Sequence, residues 1–260
     1  MILDVNAYLG HFAFRQLRHN TGASLLELMD SKKIDRAVVS SASAITYRKA
    51  QAGNEEVAEE VEGRSDRLIP FAVINPTYAG WRDDLKTCHE DLGMKGLRLY
   101  PGWHRFGLLD ECCLELVNEA TERSMLVSIP MRVEDKRQRS WLVDVPDVPL
   151  DEVAALVKAC PRARFFLLNG IGYASSPLGR RNNGSPSNYC IEISRLTVLL
   201  HDELEQLVAN LGAERLVFGT GMPFNYPDPA LIKLELLSAG KQDKEKILGQ
   251  NAAKWLNDVR

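Results

Sequence analysis

The chain contains eight short segments rich in Val, Ile, Leu and Phe, and this repetition constrains its fold more than any other feature. The segments recur roughly every 30 residues, and each precedes a stretch with helical periodicity. Such a pattern is typical of repeated βα units, in which helices cover a parallel sheet. The predicted strands span residues 2–7, 35–41, 69–75, 95–100, 125–131, 163–169, 189–194 and 215–220.

Eight βα units in 260 residues predict an α/β fold, specifically a (β/α)₈ barrel that forms one domain over residues 1–260. The alternative is a doubly wound open sheet, which usually has a glycine-rich turn after its first strand. Here the first turn reads YLGHFAF without a GxGxxG motif, and the GIG at 170–172 is too short for a phosphate loop. The barrel is therefore favoured, with its active face at the carboxyl ends of the strands.

The segments between the strands predict helices and two long loops. In the first helix, Ser24 and Glu27 have the spacing of a capping box. Long loops follow the fifth and sixth strands at 131–149 and 173–188, and the second is polar, rich in Gly, Ser and Pro, and predicted to be mobile. Helical amphipathic stretches lie at 24–34, 108–124, 149–161 and 201–212.

Charge and cysteine content exclude several classes of function. The 35 acidic and 32 basic residues are spread along the chain and give a net charge of −3, which does not favour nucleic acid or a membrane as partner. No apolar run reaches the roughly 18 to 20 residues of a membrane span, and the start lacks a signal-peptide pattern, so we expect a cytoplasmic protein. Five cysteines without a CxxC pair indicate neither a zinc knuckle nor a disulfide framework.

Five motifs, in order along the chain, resemble those of the amidohydrolase superfamily. They are MILDVNAYLG (1–10), MKGLRLYPG (94–102), ARFFLLNG (163–170), LVFGTGMPF (216–224) and EKILGQNAAKWL (245–256). The likeness runs nearly end to end and concerns the amidohydrolase-related group of metal-dependent hydrolases and decarboxylases. It implies the same barrel fold, and it makes a homo-oligomer an expectation because related barrels often dimerise.

The departures from this resemblance fall on the chemistry. The family has two metal-binding histidines on strand one, one each on strands five and six, and a metal-binding aspartate on strand eight. In this chain, the corresponding positions are occupied by Asn6, Tyr8, Pro130, Asn169 and Gly221. Some relatives have a carboxylated lysine on strand four, where this chain has Arg98, which stays cationic at any working pH. A catalytic divalent metal needs about three His, Asp or Glu ligands. The resemblance thus implies a divergent member without the usual metal, and we expect no cofactor.

Strand alternation predicts which side chains share the pocket, because residues two apart lie on one face. It places Asp4, Asn6 and Tyr8 together. An alternative interpretation of Arg98 is that it neutralises Asp4 or Glu192 inside the barrel. A polar, net cationic pocket suits a small molecule that is anionic or hydroxylated. Arginines can bind the carboxylate group of such a molecule at two points. The predicted pocket comprises Asn6, Tyr8, Arg98, Tyr100, Arg132 and Asn169, with His104 and Glu134 from loops.

Three functional hypotheses follow. The first is an enzyme, a hydrolase or carbon–carbon lyase, that works without metal, with His104 as acid or base and Arg98 or Arg132 stabilising negative charge. The second is a catalytically inactive relative that serves as a ligand-binding or interaction protein. The third is a metal held by residues outside the family positions, such as His11, His104 or Glu134. The polar pocket favours ligand binding, but it does not by itself predict turnover.

Overall fold

A computed structural model of the chain describes residues 1–180, 187–198 and 201–257. Its eight strands are all parallel and follow one another around the sheet in chain order. Residues 181–186, in the loop predicted to be mobile, lie outside the described residues. The strands are β1 (Leu3–Leu9), β2 (Arg36–Ser41), β3 (Leu68–Val73), β4 (Gly96–Arg98), β5 (Leu126–Pro130), β6 (Phe165–Leu168), β7 (Tyr189–Glu192) and β8 (Leu216–Val217).

Backbone hydrogen bonds between the first strand and the segment that begins with β8 close the sheet into a barrel. The amide of Val5 donates to the carbonyl of Phe218 at 3.0 Å, and the amide of Tyr8 donates to the carbonyl of Met222 at 2.9 Å. A closed parallel sheet leaves no exposed edge between its first and last strands. The predicted (β/α)₈ barrel is confirmed. Strand β8 is short, and these hydrogen bonds beyond its end complete the closure.

Helices alternate with the strands and cover the outside of the barrel. They are α1 (Gly22–Ser31), α2 (Gln51–Val61), α3 (Trp81–Glu90), α4 (Pro101–His104), α5 (Glu111–Glu122), α6 (Leu150–Ala159), α7 (Glu203–Leu211), α8 (Asp228–Leu236), α9 (Lys241–Glu245) and α10 (Asn251–Asn257). A π-helical turn, Lys246–Gln250, joins the last two. Among the described residues, none of the helices combines the length and apolarity needed to cross a bilayer.

The first helix begins earlier than its sequence pattern predicts. Thr21 is the N-cap, and its hydroxyl accepts from the amide of Ser24 at 3.3 Å while the Ser24 hydroxyl accepts from the amide of Thr21 at 3.3 Å. The predicted capping box of Ser24 and Glu27 is wrong, because a serine at the third helical position completes the box that the N-cap threonine starts.

The interior of the barrel is sealed at the amino-terminal ends of its strands. Leu3, Val5 and Phe166 belong to an inner apolar cluster that extends into α10. The ring of Trp255 on that helix stacks on Phe166 with ring centroids 5.6 Å apart. Burying this apolar surface stabilises the closed end. A small molecule must therefore approach from the carboxyl-terminal face of the barrel.

Candidate functional site

A bulge in β1 determines where Asn6 and Tyr8 lie. The register with β2 shifts by one residue between Asp4 and Ala7. Val5 packs in the barrel interior, whereas Ala7 packs in the outer layer against the helices. Because the extra residue interrupts the two-residue period, Asn6 and Tyr8 both face inward and Asp4 lies on the other face from Val5. The prediction that all three polar residues share one face by strict alternation is wrong for Asp4.

The side chain of Asn169, directly after β6, is held by hydrogen bonds to three elements. The Asn6 Nδ2 group donates to its Oδ1 at 3.1 Å, and the Ser194 hydroxyl donates to the same oxygen at 3.1 Å. The Asn169 Nδ2 group donates to the carbonyl of Arg132 at 3.2 Å. The residue has a positive φ of 55°, which Asn tolerates better than most side chains. Asn6 and Asn169, for which the resemblance implies histidines in the family, thus bond to each other across the barrel.

Gly221 leaves space that another side chain uses. Its φ of 76° lies in the left-handed region, and a Cβ at this position would stand 2.5 Å from the Asn225 Nδ2 atom and 3.6 Å from the Asn169 Oδ1 atom. The Gly221 amide donates to the carbonyl of Asn6 at 2.8 Å, so this turn is tied to β1. A side chain at position 221 would therefore have to displace the Asn225 amide and adopt a strained φ.

Arg98 on β4 is fully buried and spans the barrel to β1. Its Nε donates to the Ser128 hydroxyl at 3.1 Å, and its two terminal nitrogens donate to the carbonyls of Ala7 and Val5, each at 3.0 Å. The guanidinium also lies over the ring of Tyr8, 5.0 Å from its centroid. Its direct partners are neutral, and the two carbonyls it binds lie at the β1 bulge.

Two buried carboxyl groups lie near this centre without pairing to Arg98. Asp4 accepts from the amide of Asn6 at 2.7 Å, and it accepts from the Thr220 hydroxyl at 2.5 Å. Burial raises the pKa of Asp4 to about 7 and also raises the pKa of Glu192. In the described part of the chain, Arg98 forms no ion pair with either group. The alternative interpretation of Arg98 as a direct ion-pair partner is wrong.

Aromatic rings cover the polar centre at the carboxyl-terminal face. The ring of Phe224 lies edge-on to Tyr8 and to Phe12, with centroids 4.9 and 5.0 Å away, and Trp103 lies 5.8 Å from Phe12. Tyr8 and Tyr100 are buried beneath these rings, and burial raises the pKa of both phenols. The cover separates Tyr8 and Tyr100 from solvent.

His104 ends the short helix α4 and is buried beside Tyr100. Its Nε2 atom lies 3.0 Å from the carbonyl of Ala44, so this nitrogen carries the proton and donates. Its Nδ1 atom has no hydrogen-bond partner among the described residues. Burial lowers the pKa of the imidazole, which is therefore neutral at pH 7 and has a free acceptor.

Arg132 and Glu134 follow β5 and are both paired with other loop residues. Arg132 contacts Asp147 at 2.6 Å, and Glu134 contacts Arg15 at 3.2 Å. Together with Tyr100 they line a small cavity of about 20 Å³. Such a space holds about one water molecule, so these side chains do not enclose a ligand in the present conformation.

The resemblance to the family implies a divalent metal at positions 6, 8 and 169, and the side chains present there do not fit one. Asn6 offers one buried amide oxygen without a hydrogen-bond partner, the Asn169 oxygen already accepts two hydrogen bonds, and Tyr8 would have to lose a proton whose pKa is raised. The nearby cation Arg98 opposes a second positive charge. Across residues 1–180, 187–198 and 201–257, no group of three His, Cys, Asp or Glu side chains is placed to hold a metal ion.

A large groove opens beside the covered centre, and the sequence predictions missed it. It has a volume of about 790 Å³ and lies between the loops that follow β1, β7 and β8. Arg15, Arg18, His19 and Arg195 line it, and none of its described lining residues is acidic. The only sequence signal was the basic stretch FRQLRH at 14–19, which lies in a loop without a family motif. We call this cavity the rim groove.

Comparison with known proteins supports the assignment of the fold. The family model described as amidohydrolase matches residues 198–257. A crystal structure of a 2,6-dihydroxybenzoate decarboxylase complexed with 2,6-dihydroxybenzoate superposes with a TM-score of 0.72, at 19% identity over 98% of each chain. An uncharacterised TIM-barrel protein from Bordetella bronchiseptica gives 0.74, at 15% identity over 99% of each chain. No curated protein matches the sequence.

The resemblance to the amidohydrolase superfamily is thereby confirmed. At these identities the likeness to the solved structures concerns the fold, and the family model covers the carboxyl-terminal part of this amidohydrolase-like barrel. A further similar structure is a dihydroxybenzoic acid decarboxylase from Polaromonas with bound manganese and an inhibitor, 2-nitroresorcinol. It has a TM-score of 0.66 and 18% identity, over 91% of this chain and 86% of its own. The fold is thus shared with a metal-containing protein, whereas the donor set described above differs from what such a metal requires.

Proposed function

We propose that this amidohydrolase-like barrel binds a small anionic or hydroxylated ligand at its carboxyl-terminal face without a divalent metal at the family position. The observation that carries the proposal is the hydrogen bond between Asn6 and Asn169, where two neutral amides occupy positions of family ligands. Zinc and manganese sites are built from imidazole, thiolate and carboxylate groups. An amide pair supplies neither the charge nor the number of ligands.

The absence of these ligand residues has a chemical consequence. A catalytic metal lowers the pKa of bound water from 15.7 to about 7 and so supplies hydroxide at neutral pH. The residues at positions 6, 8, 169 and 221 give no means of holding that ion. The proposal therefore assigns recognition of a ligand, rather than metal-assisted hydrolysis, to this face.

The ligand class follows from the charge at the open face. Arg15, Arg18 and Arg195 line the rim groove, and arginine binds carboxylate and phosphate groups through paired N–H donors. The similar decarboxylase structure contains 2,6-dihydroxybenzoate, which is both a carboxylate and hydroxylated. Both observations support an anionic small molecule as partner.

A second candidate is turnover of that ligand by hydrolase or decarboxylase-type chemistry. The observation in its favour is His104, whose neutral imidazole has an unpartnered Nδ1 acceptor and could accept a proton. Arg98 would stabilise negative charge, but its guanidinium is occupied by Ser128 and two carbonyls. This candidate requires the aromatic cover to open so that substrate reaches Asn6, Tyr8, Tyr100, Arg132, Glu134 and Asn169.

Calorimetric titration tests both candidates. The protein, treated with EDTA, is titrated with 2,6-dihydroxybenzoate, citrate, inorganic phosphate and glucose. We expect at least one of these compounds to bind with a stoichiometry near one per chain. Its Kd should be the same for EDTA-treated and untreated protein. Failure of every ligand to bind, or binding only after metal is added, would contradict the proposal. If a carboxylate is consumed, His104→Ala should abolish that turnover; unchanged turnover would contradict the acid or base role.

A further inference from the structure

We infer that the ligand site of this protein is the rim groove, and that it recognises an oxyanion, a carboxylate or phosphate group, through Arg18 and Arg195. This inference rests on the proposed function and names the site at which it acts. It moves the site away from the buried barrel centre, where the sequence pattern places it. The groove is formed by the loops after β1, β7 and β8, with Gln138 contributed from the loop after β5.

The size of the rim groove matches a small-molecule site. Its volume of about 790 Å³ lies within the roughly 300 to 1,000 Å³ of ligand pockets. The cavity lined by Tyr100, Arg132 and Glu134 is only about 20 Å³. Of these two cavities, the groove is the one with room for an organic ligand.

Arg195 lines this groove, and one of its donors is left unused by the described residues. Its Nη1 atom bonds to the Asp135 carboxylate at 2.8 Å, which fixes the guanidinium in position. Its Nη2 atom is buried and has no hydrogen-bond partner among the described residues. Leaving a charged buried donor unsatisfied is costly, and an oxyanion in the groove, toward which the Arg195 side chain turns its Nη2 atom on binding, would remove that cost.

Arg18 supplies a second cation from the loop after β1. Its side chain is exposed and has no hydrogen bond or ion pair within the described parts of the chain. Arg15, in contrast, is committed to Glu134 at 3.2 Å and to the carbonyl of Phe224 at 2.7 Å. The unpaired positive charge at the groove therefore comes from Arg18, whereas Arg195, paired with Asp135, contributes the unused N–H donors of its Nη2 atom.

The floor of the groove adds neutral polar and apolar groups. Asn225 lines it, and its amide lies where a side chain on Gly221 would otherwise stand. Phe224 and Pro227 contribute apolar surface beside the arginines. A carboxylate or phosphate on a small carbon body matches this combination of charge, amide and apolar wall.

The test compares Kd values of three variants with the wild type by calorimetry. Arg18→Gln removes an exposed charge without a partner, and Arg195→Lys keeps the charge but loses the two-point fork. Arg162→Gln is the matched control, because Arg162 is an exposed arginine paired with Glu122 away from the groove. We expect the Kd of the bound oxyanion to rise about tenfold or more in the two groove variants and to stay unchanged in the control.

The other outcomes separate this inference from the proposed function. If the Kd is unchanged in both groove variants and rises in Arg132→Gln, the site lies at the inner cavity; the groove is then excluded while the proposed function stands. If only glucose binds, the oxyanion assignment is wrong and a hydroxylated ligand remains. If none of the probes binds, both fail. If only phosphate binds, or only a carboxylate, the result supports the oxyanion site and identifies which of the two groups the site recognises.

Discussion

The side chains of Asn6 and Asn169, which lie 163 residues apart in sequence, are joined by a 3.1 Å hydrogen bond inside the barrel. The resemblance to the family implies a metal ligand at each position, and here the bond makes the two residues a structural link between β1 and the end of β6. Asn169 also binds Ser194 and the Arg132 carbonyl, so the link extends to the loops after β5 and β7.

Loss of this link should destabilise the fold. Asn169→Ala leaves the buried Asn6 amide and the Arg132 carbonyl without their partner and places alanine at a positive φ, so we expect the free energy of unfolding to fall by about 2–4 kcal/mol. Urea denaturation measures it. Asn169→Gly keeps the backbone conformation free of strain and should recover about 1 kcal/mol. Asn20→Ala, a less buried control, should change stability by less than about 0.5 kcal/mol.

Arg98 should be a stability determinant. Arg98→Met removes a buried guanidinium that bonds to Ser128 and to the carbonyls at the β1 bulge, and we expect a loss of about 3–5 kcal/mol in urea denaturation. Ser128→Ala removes one of these bonds and should cost about 1 kcal/mol. An Arg98→Met variant that unfolds like the wild type would show that this network contributes nothing to the fold.

Protonation of Asp4 should make stability depend on pH. Its pKa is about 7 in the folded chain and 3.8 as an unperturbed group, so the folded state binds the proton more tightly. Its contribution is present below pH 4 and is lost as the pH rises to 7, at about 1.4 kcal/mol per pH unit within that window. Other groups also titrate, so the measurement is the difference between wild type and Asp4→Asn in urea denaturation at several pH values. A difference that does not vary between pH 4.5 and 7 would contradict the raised pKa.

Restoring the family aspartate should not restore a metal site. In Gly221→Asp, the new Cβ meets the Asn225 amide at 2.5 Å at a strained φ, and we expect a loss of about 2–3 kcal/mol. Gly63→Asp is the matched control, because Gly63 has a similar φ of 71° but no atom within 4 Å of its Cβ position; it should lose only about 1 kcal/mol. Calorimetry with zinc or manganese should detect no binding to Gly221→Asp, and a stoichiometric site would contradict our account of the donor set.

The sequence was sufficient to predict the barrel because its eight apolar segments and their spacing correspond directly to the strands. It also identified the neutral residues at positions 6, 8, 169 and 221. It could not predict how they interact, because the β1 bulge shifts the face of Asp4 and because the bonds of Asn169 depend on one residue of β1 and on two loop residues. The rim groove was missed for the same reason. Its arginines come from loops distant in sequence, and no local pattern shows that Arg18 and Arg195 line one cavity.

The metal content of the purified protein tests the central claim most directly. Elemental analysis by mass spectrometry of protein prepared without chelator and without added metal should find much less than one zinc, manganese or iron ion per chain. The same preparation should bind its oxyanion ligand. About one ion per chain in the wild type, lost in Asn6→Ala and Asn169→Ala variants that remain folded, would contradict a barrel whose family metal position is filled by hydrogen-bonded amides.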